Sequence, residues 1–386
     1  MQKGYLFIYN SQELTMEQLD SVEPFKTGSF EAPSIHAANM MGWKLYQGIN
    51  RTYPKMVKSL DYVITFYNQN VFRNIFDWKA NMVAYKNLCT FLRENPNIEV
   101  IHCNTPIGGV LGRICGRKYN KKVVYAAHGF HFYTGAPLIN RTLFKWVEKI
   151  LARYTDVLIT INHEDFEASK KFTLKKGGKI EYVPGVGIDL TNYSTQSEQS
   201  RITKRQEIGL KAGEIAIISM GDLVLRKNYA LALDVIATAK NPKLQYFVCG
   251  DGPEFDRLQK QAEKLGISHQ VHLLGRRNDV KDLLYASDIF LFTTLQEGLP
   301  RSAMEAMATG LPCLMSEVRG NTDLMDNGTG GFLCKPSDLE DWTNKLNILA
   351  NDDDMRKKMG WHNLQRIKDF DIKIIQERML DIFRNL

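Results

Sequence analysis

Short apolar runs of strand length alternate with helix-period segments along nearly the whole chain, and they do so in two series. The first series covers 5–9, 61–66, 100–103, 123–127, 157–161 and 180–183; the second covers 215–220, 244–249, 271–274, 289–293 and 312–316. Between them, 81–94, 143–153, 230–239, 254–265 and 280–286 carry helical spacing. Such alternation has few folded solutions, because a strand buried on both faces needs helices above and below it. Two series predict an α/β chain of two Rossmann-like, doubly wound domains. At 386 residues the chain is also too long for one ordinary core. Pro184-Gly185-Val186-Gly187 closes the first series, and the polar stretch after it reads as a linker. The expected division is 1–190, a linker over 191–212, 213–370, and a tail helix over 371–386 packing back toward the N-terminal domain. Ligands of open α/β sheets sit outside the carboxyl ends of the strands. Two such domains facing a central cleft would hold one substrate each, which suits a transfer reaction.

The formal net charge of +7 is unevenly placed: residues 1–190 hold 24 Lys+Arg against 16 Asp+Glu, and the remainder 26 against 27. Clusters at Arg113, Arg117, Lys118, Lys121 and Lys122, and at Lys170, Lys171, Lys175, Lys176 and Lys179, read singly as solvated faces. Together they suit approach of the first half to an anionic surface, such as lipid headgroups or a diphosphate-linked acceptor. Nucleic acid is not expected, since the aromatics do not interleave with these clusters and no binding module is present. The cysteines at 89, 103, 115, 249, 313 and 334 form no CxxC pair and lie in apolar stretches, as free thiols in a reducing cytoplasm would. No apolar run reaches the roughly 18 residues of a membrane-spanning helix. The opening Met1-Gln2-Lys3-Gly4-Tyr5-Leu6-Phe7-Ile8 reads as a first strand rather than a signal peptide. The expected location is the cytoplasm, peripheral to the inner face of the membrane.

The densest chemistry lies in Glu297-Gly298-Leu299-Pro300-Arg301-Ser302-Ala303-Met304-Glu305-Ala306-Met307-Ala308-Thr309-Gly310-Leu311-Pro312. Pro300 suits the first helical position, Gly310 ends a helix and Pro312 prevents its continuation, so a helix is expected over 300–309. The amides near Leu299, Pro300 and Arg301 would then face phosphate oxygens. Glu297 precedes the helix and Glu305 lies about one turn inside it. Either alone reads as a surface charge; two carboxylates flanking a phosphate site suit the hydroxyls of a sugar nucleotide. His128 follows the run 123–127 at its carboxyl end, with Gly129 allowing close approach. His131 reads as structural. Phe130, Phe132 and Tyr133 either line an apolar acceptor groove or pack the core.

The stretch from Glu297 to Glu305 resembles the E-x7-E signature of glycosyltransferase family 4, retaining enzymes of the GT-B fold. Gly221-Asp222-Leu223-Val224-Leu225-Arg226-Lys227-Asn228 is similar to that family's first C-domain strand and loop. Cys249-Gly250-Asp251-Gly252-Pro253-Glu254 resembles its GxGP turn, and Leu274-Gly275-Arg276-Arg277-Asn278-Asp279-Val280 its segment beside the nucleotide base. His102-Cys103-Asn104-Thr105-Pro106-Ile107-Gly108-Gly109 and Ala127-His128-Gly129-Phe130-His131-Phe132-Tyr133 resemble the capsular and exopolysaccharide branch, over roughly 60–386 in motif order.

The resemblance implies donor contacts at Gly221, Gly250, Gly252, Arg276, Leu299, Pro300, Arg301 and Glu305, and a diphosphate held by Arg226 and Lys227. It implies sugar contacts at Glu297 and His128, and acceptor-side contacts at Gly108, Gly109, Phe130 and His131. The family's usual Arg after the first C-domain glycine is Asp222 here. The implied donor is a UDP-linked sugar and the implied acceptor a saccharide on a polyprenyl diphosphate. No cofactor or metal is expected: Asp369-Phe370-Asp371 reads as capping or surface charge, and Asp352-Asp353-Asp354 as a solvated helix start. Epimerisation of the donor, or a non-catalytic nucleotide-sugar-binding role, would use the same site. An oxidoreductase fits less well, because Gly250-Asp251-Gly252-Pro253-Glu254-Phe255 lacks the third glycine of a dinucleotide loop.

Overall fold

The computed structural model describes residues 2–9, 30–50, 62–72, 74, 77–193 and 196–386. It divides into two compact units, Met1–Val186 with Ile372–Leu386, and Gly187–Asp371.

The first unit is built on β1 (Gly4–Ile8), β2 (Lys44–Ile49), β3 (Ile64–Asn68), β4 (Ile98–Asn104), β5 (Lys122–Ala127), β6 (Val157–Thr160) and β7 (Lys179–Tyr182). They form a seven-stranded sheet in the order β3-β2-β1-β4-β5-β6-β7, parallel throughout. All five residues of β1 are buried, and the pleat sends them to opposite faces. Leu6 and Ile8 join Ala84, Leu88, Leu111 and Cys115 from helices Trp78–Glu94 and Pro106–Lys118. Tyr5 and Phe7 join Ile35 from helix Ala32–Met40 and Ile375, Met379 and Phe383 from helix Ile372–Arg384. The tail helix is thus a core element of the first unit.

The second unit carries β8 (Ile215–Met220), β9 (Leu244–Cys249), β10 (Val271–Gly275), β11 (Ile289–Phe292), β12 (Cys313–Ser316) and β13 (Gly331–Cys334). Their order is β10-β9-β8-β11-β12-β13, again parallel. The same alternation divides its core: Ile218, Phe290, Phe292 and Met315 face helix Arg301–Ala308, while Ile217, Leu291 and Leu314 face Leu233, Trp342 and Leu346.

Several expectations change. Residues 191–212 are not a bare linker: Ser197 caps a helix over Glu198–Glu207 by accepting from Ser200 N–H. On that helix Arg201 and Arg205 both pair with Asp288, at 2.6 and 3.0 Å, so its polar composition serves ion pairs within the second unit. Strand β2 escaped the hydrophobic pattern because Gln47 and Gly48 interrupt it, and β13 was not expected either. The run 61–66 is realised as β3, with Asp61 outside the described residues. Pro300 is extended (φ −78°, ψ 117°) and caps the helix rather than opening it; its fixed φ fits either place. Asp352 accepts from Met355 N–H at 2.8 Å as a helix cap, and exposed Asp369 pairs with Arg366.

Candidate functional site

A doubly wound sheet opens where its strand order reverses, since the connections on either side of that point run in opposite directions. In the second unit this point lies between β8 and β11. The loops leaving those two strands carry a cluster of charged side chains. After β8 comes Gly221 and the turn Leu225–Lys227, and after β11 comes Thr293 through Glu297. The two loops are stitched together: Leu295 N–H donates to Arg226 O at 2.8 Å, and the Thr293 hydroxyl to Asn228 O at 2.8 Å.

One carboxylate oxygen gathers the cluster. Glu297 Oε1 accepts from Lys227 Nζ at 2.7 Å, from the Thr294 hydroxyl at 2.8 Å and from Arg226 NH1 at 3.3 Å. Lys227 is buried over the Phe292 ring, whereas Arg226 is half exposed. Burial pushes the Lys227 ammonium below its ordinary range, and the Glu297 charge opposes that shift. Arg226, Lys227 and Glu297 are therefore brought together, Lys227 as the buried cation and Arg226 as the one facing solvent.

Glu305 belongs to a second group one helical turn on. Arg301 Nε donates to Glu305 Oε1 at 3.0 Å. Burial raises the Glu305 carboxyl above its usual value, while Arg301 and a hydrogen bond from Tyr193 pull it back. Tyr193 stands in the stretch expected to be a linker, so spacing gave no signal of it. Leu299 is half-buried, Pro300 buried and Arg301 exposed at the amino end of helix Arg301–Ala308.

Arg319 is a further residue the motifs did not reveal. Its side chain is only 7% exposed, and its Nε donates to Glu297 O at 3.0 Å. Beside it Gly320 (φ +82°) lies against the Gly298 carbonyl with no room for a Cβ. Glu297 is thereby held from the backbone side as well as through its carboxylate.

The glycines at 250 and 252 have a packing reason. A Cβ at Gly250 would overlap the Gly221 carbonyl, and one at Gly252 would reach 2.5 Å from Leu223 O. Gly221 N–H donates to Cys249 O at 3.0 Å and Leu223 N–H to Asp251 O at 2.9 Å. The loops after β8 and β9 thus abut through bare backbone. Arg276 follows β10 and is exposed, whereas Arg277 is committed to Asp279 at 2.6 Å and holds that carboxyl well below its ordinary value.

In the first unit His128 follows β5 and is half-buried. Its Nε2 lies 2.9 Å from Asn104 Nδ2, and Phe30 packs edge-on at 5.3 Å. Since the Asn104 amide donates, Nε2 is the accepting nitrogen and the ring proton sits on Nδ1. Burial lowers His128 to about 4. His102, bonded through Nδ1 to the Tyr5 hydroxyl at 2.8 Å, is lowered by burial and by His128 to about 3. Both histidines line one small cavity of about 30 Å³ with Asn104, Ser34 and Met379. Within it His128 Nδ1, His102 Nε2 and Asn104 Oδ1 are buried without a hydrogen-bond partner among the described residues. Polar atoms so placed invite water or a ligand hydroxyl.

The acceptor-side expectations fare differently. Phe130 is 2% exposed and stacks on Phe132 at 4.6 Å, so its ring packs the core and offers no groove. A Cβ at Gly109 would press on the Tyr125 ring and one at Gly108 would meet Thr105 Oγ1 at 3.1 Å, which explains both by helix-on-sheet packing. His131 is exposed, with its ring 5.6 Å from Phe144.

Two parallel, doubly wound units with such a cation–carboxylate cluster at a switch point describe a group-transfer enzyme of the GT-B architecture. Residues 200–365 match the model of the family described as glycosyl transferases group 1. EpsD of Bacillus subtilis, named as a glycosyltransferase, is 30% identical over 362 residues, 92% of each chain. The UDP-Gal:α-D-GlcNAc-diphosphoundecaprenol α-1,3-galactosyltransferase of Escherichia coli is 30% identical over 301 residues, 76% of each. The fold is shared with the crystal structure of Anabaena HepE in complex with UDP-glucose, at TM-score 0.76 and 18% identity over 99% of this chain and 100% of that one. The chain belongs to the group 1 glycosyltransferases, a family-4-like group, and is a glycosyltransferase.

Proposed function

We propose that the chain transfers a sugar from a UDP-sugar to a saccharide carried on a polyprenyl diphosphate, in the synthesis of a surface polysaccharide. The cluster of Lys227, Arg226 and Glu297 at the switch point of the second sheet carries this reading. Breaking the bond from the anomeric carbon to the donor phosphate leaves charge on the departing nucleoside diphosphate. Cations seated on the diphosphate in the donor complex stabilise that charge without reorganising as it develops. Glu297 pairs with both cations through one oxygen, leaving a net positive charge. On donor binding, Lys227 and Arg226 turn to the diphosphate with the amides near Leu299–Arg301, and Glu297 is released to the sugar hydroxyls. Glu305 takes the ribose hydroxyls, and Gly221, Gly250 and Gly252 keep the backbone flat beside the nucleotide. His128 is the first unit's contact to the transferred sugar, acting as a neutral donor through Nδ1–H. The acceptor oxygen bonds to the anomeric carbon from the face the diphosphate leaves, with retention of configuration. Its proton passes to the departing phosphate. The names of the E. coli relative and of the HepE complex support the donor and acceptor classes. The reaction needs no metal, and the basic first half works at an anionic membrane surface, peripheral to its inner face.

The test is a panel of UDP- and GDP-sugars screened by calorimetry and by slow donor hydrolysis. A UDP-sugar should bind, and Lys227→Met should lower turnover about 100-fold or more. A folded protein that binds no nucleotide sugar, or a Lys227→Met enzyme as active as the wild type, would refute the assignment. Isomerised donor without transfer to any acceptor would favour epimerisation.

A further inference from the structure

The first unit presents one helical segment whose outward face is unlike an ordinary solvated surface. Residues 138–152 are continuously helical, with a π turn over Asn140–Phe144 followed by Lys145–Ala152. Glu148, Leu151 and Ala152, spaced i, i+3 and i+4, form the inward face. The Glu148 carboxylate is spent there on the buried Arg113 at 2.6 Å and on the Tyr125 hydroxyl at 3.2 Å. The other side carries Leu138 (75% exposed), Ile139 (60%), Leu143 (49%) and Trp146 (61%). Around them stand Arg141, Lys145, Lys149 and Arg153, and Glu148 is the only acidic residue between 137 and 153. Arg117, on the neighbouring helix, lies over the Tyr154 ring at 4.4 Å and extends the cationic border.

Four large apolar side chains in nine residues cost free energy in water and gain it on leaving. A polar protein partner would leave that apolar area unrewarded, and an acidic one would meet only the rim. A bilayer with anionic headgroups satisfies both features at once. Its acyl boundary accepts leucine and isoleucine, its headgroup layer accepts the indole of an exposed tryptophan, and its phosphates pair with lysine and arginine. We propose that the outward face of helix 138–152 is the membrane-docking element of this enzyme, with Leu138, Ile139, Leu143 and Trp146 entering the interface and Arg141, Lys145, Lys149 and Arg153 holding headgroups. The proposal deepens the lipid-linked-acceptor reading by naming the element that would bring the enzyme to its acceptor.

The test is co-sedimentation of the full chain with vesicles of pure phosphatidylcholine, and of equal parts phosphatidylcholine and phosphatidylglycerol. Wild-type protein should partition to the anionic vesicles. Leu143→Glu with Trp146→Glu should lower that partition about tenfold or more. Lys145→Glu with Lys149→Glu should weaken it by a similar factor and abolish the preference for anionic vesicles. In addition, Trp146→Phe should remove most of the vesicle-induced blue shift in tryptophan emission. The variants change exposed or half-buried side chains, and unchanged thermal melts and slow UDP-sugar hydrolysis without vesicles show that fold and donor site survive. Wild-type protein that ignores both vesicle types, or a double-glutamate variant that binds like wild type, overturns the proposal. So does a wild-type dimer that the double-glutamate variant splits with vesicle binding unchanged, because the face then joins two copies. Donor hydrolysis is read without lipid and vesicle binding without donor, so failure of one reading is distinct from failure of the other.

Discussion

The two histidines at the carboxyl end of the first sheet, buried His102 and half-buried His128, rest in their neutral form, which links the stability of the protein to pH. Their ordinary value is 6.5, and burial lowers His128 to about 4 and His102 to about 3. As pH falls below the ordinary value, the unfolded chain takes up protons that the folded chain refuses. Their contribution is therefore fully present above about 6.5 and drains away as pH falls toward 4 for His128 and 3 for His102. Urea midpoints measured from pH 7 to pH 4 should fall, and the slope should flatten in His102→Gln and in His128→Asn. A slope equal to wild type in both would mean the imidazoles charge freely in the native state. Arg319 makes a different kind of prediction. It holds the backbone of Glu297 rather than its carboxylate, so Arg319→Ala should lower kcat/KM about tenfold through a misplaced loop. Arg319→Lys should restore little, since a single ammonium does not reproduce the guanidinium fork. The motif showed Glu297 as a residue; that its oxygen gathers Lys227 and Arg226 was not visible, because those two partners lie 70 and 71 residues away in sequence, on another loop.

At the scale of elements, the loops leaving β8 and β9 touch through glycine backbone. Gly250→Ala should cost about 2 kcal/mol or more, because the methyl would overlap the Gly221 carbonyl and push the two loops apart. Gly209→Ala is the comparison: it has open space around it and only its φ of +78° to strain, a cost of about 1 kcal/mol. Denaturant midpoints of the two variants separate crowding from backbone strain, and donor affinity should fall in the first alone. A strand whose residues are all apolar, such as β11 (Ile289–Phe292), was legible because period and composition agree. Strand β2 was not, because Gln47 and Gly48 break the pattern and are tolerated only by what packs around them.

For the whole chain, the first unit is completed by the last helix. Phe383 packs on Trp43 at 5.4 Å and on Tyr5 at 5.5 Å, with Ile375 and Met379 in the same cluster. Phe383→Ala should destabilise the protein by about 3–5 kcal/mol. Removing 372–386 should leave the first sheet with one face uncovered and the product aggregated or markedly less stable by calorimetry. A truncated chain melting at the wild-type temperature would contradict that role. The amphipathic spacing of the tail announced a helix; which core it completes depends on contacts hundreds of residues away in sequence.

Local pattern alone determined the class of this protein. Strand–helix alternation leaves few packings, and the segment from Glu297 to Pro312 carries its own start, stop and chemistry within sixteen residues. Tertiary structure decided what local pattern cannot encode. The polar stretch after 190 became a helix because Asp288 awaited Arg201 and Arg205. Phe130 went to the core because Phe132 and Phe172 surround it. Glu297 acquired Lys227 and Arg226, and Glu305 its hydrogen bond from Tyr193, only when distant segments met. Periodicity is a property of neighbours along the chain, whereas burial and ion pairing are properties of neighbours in space.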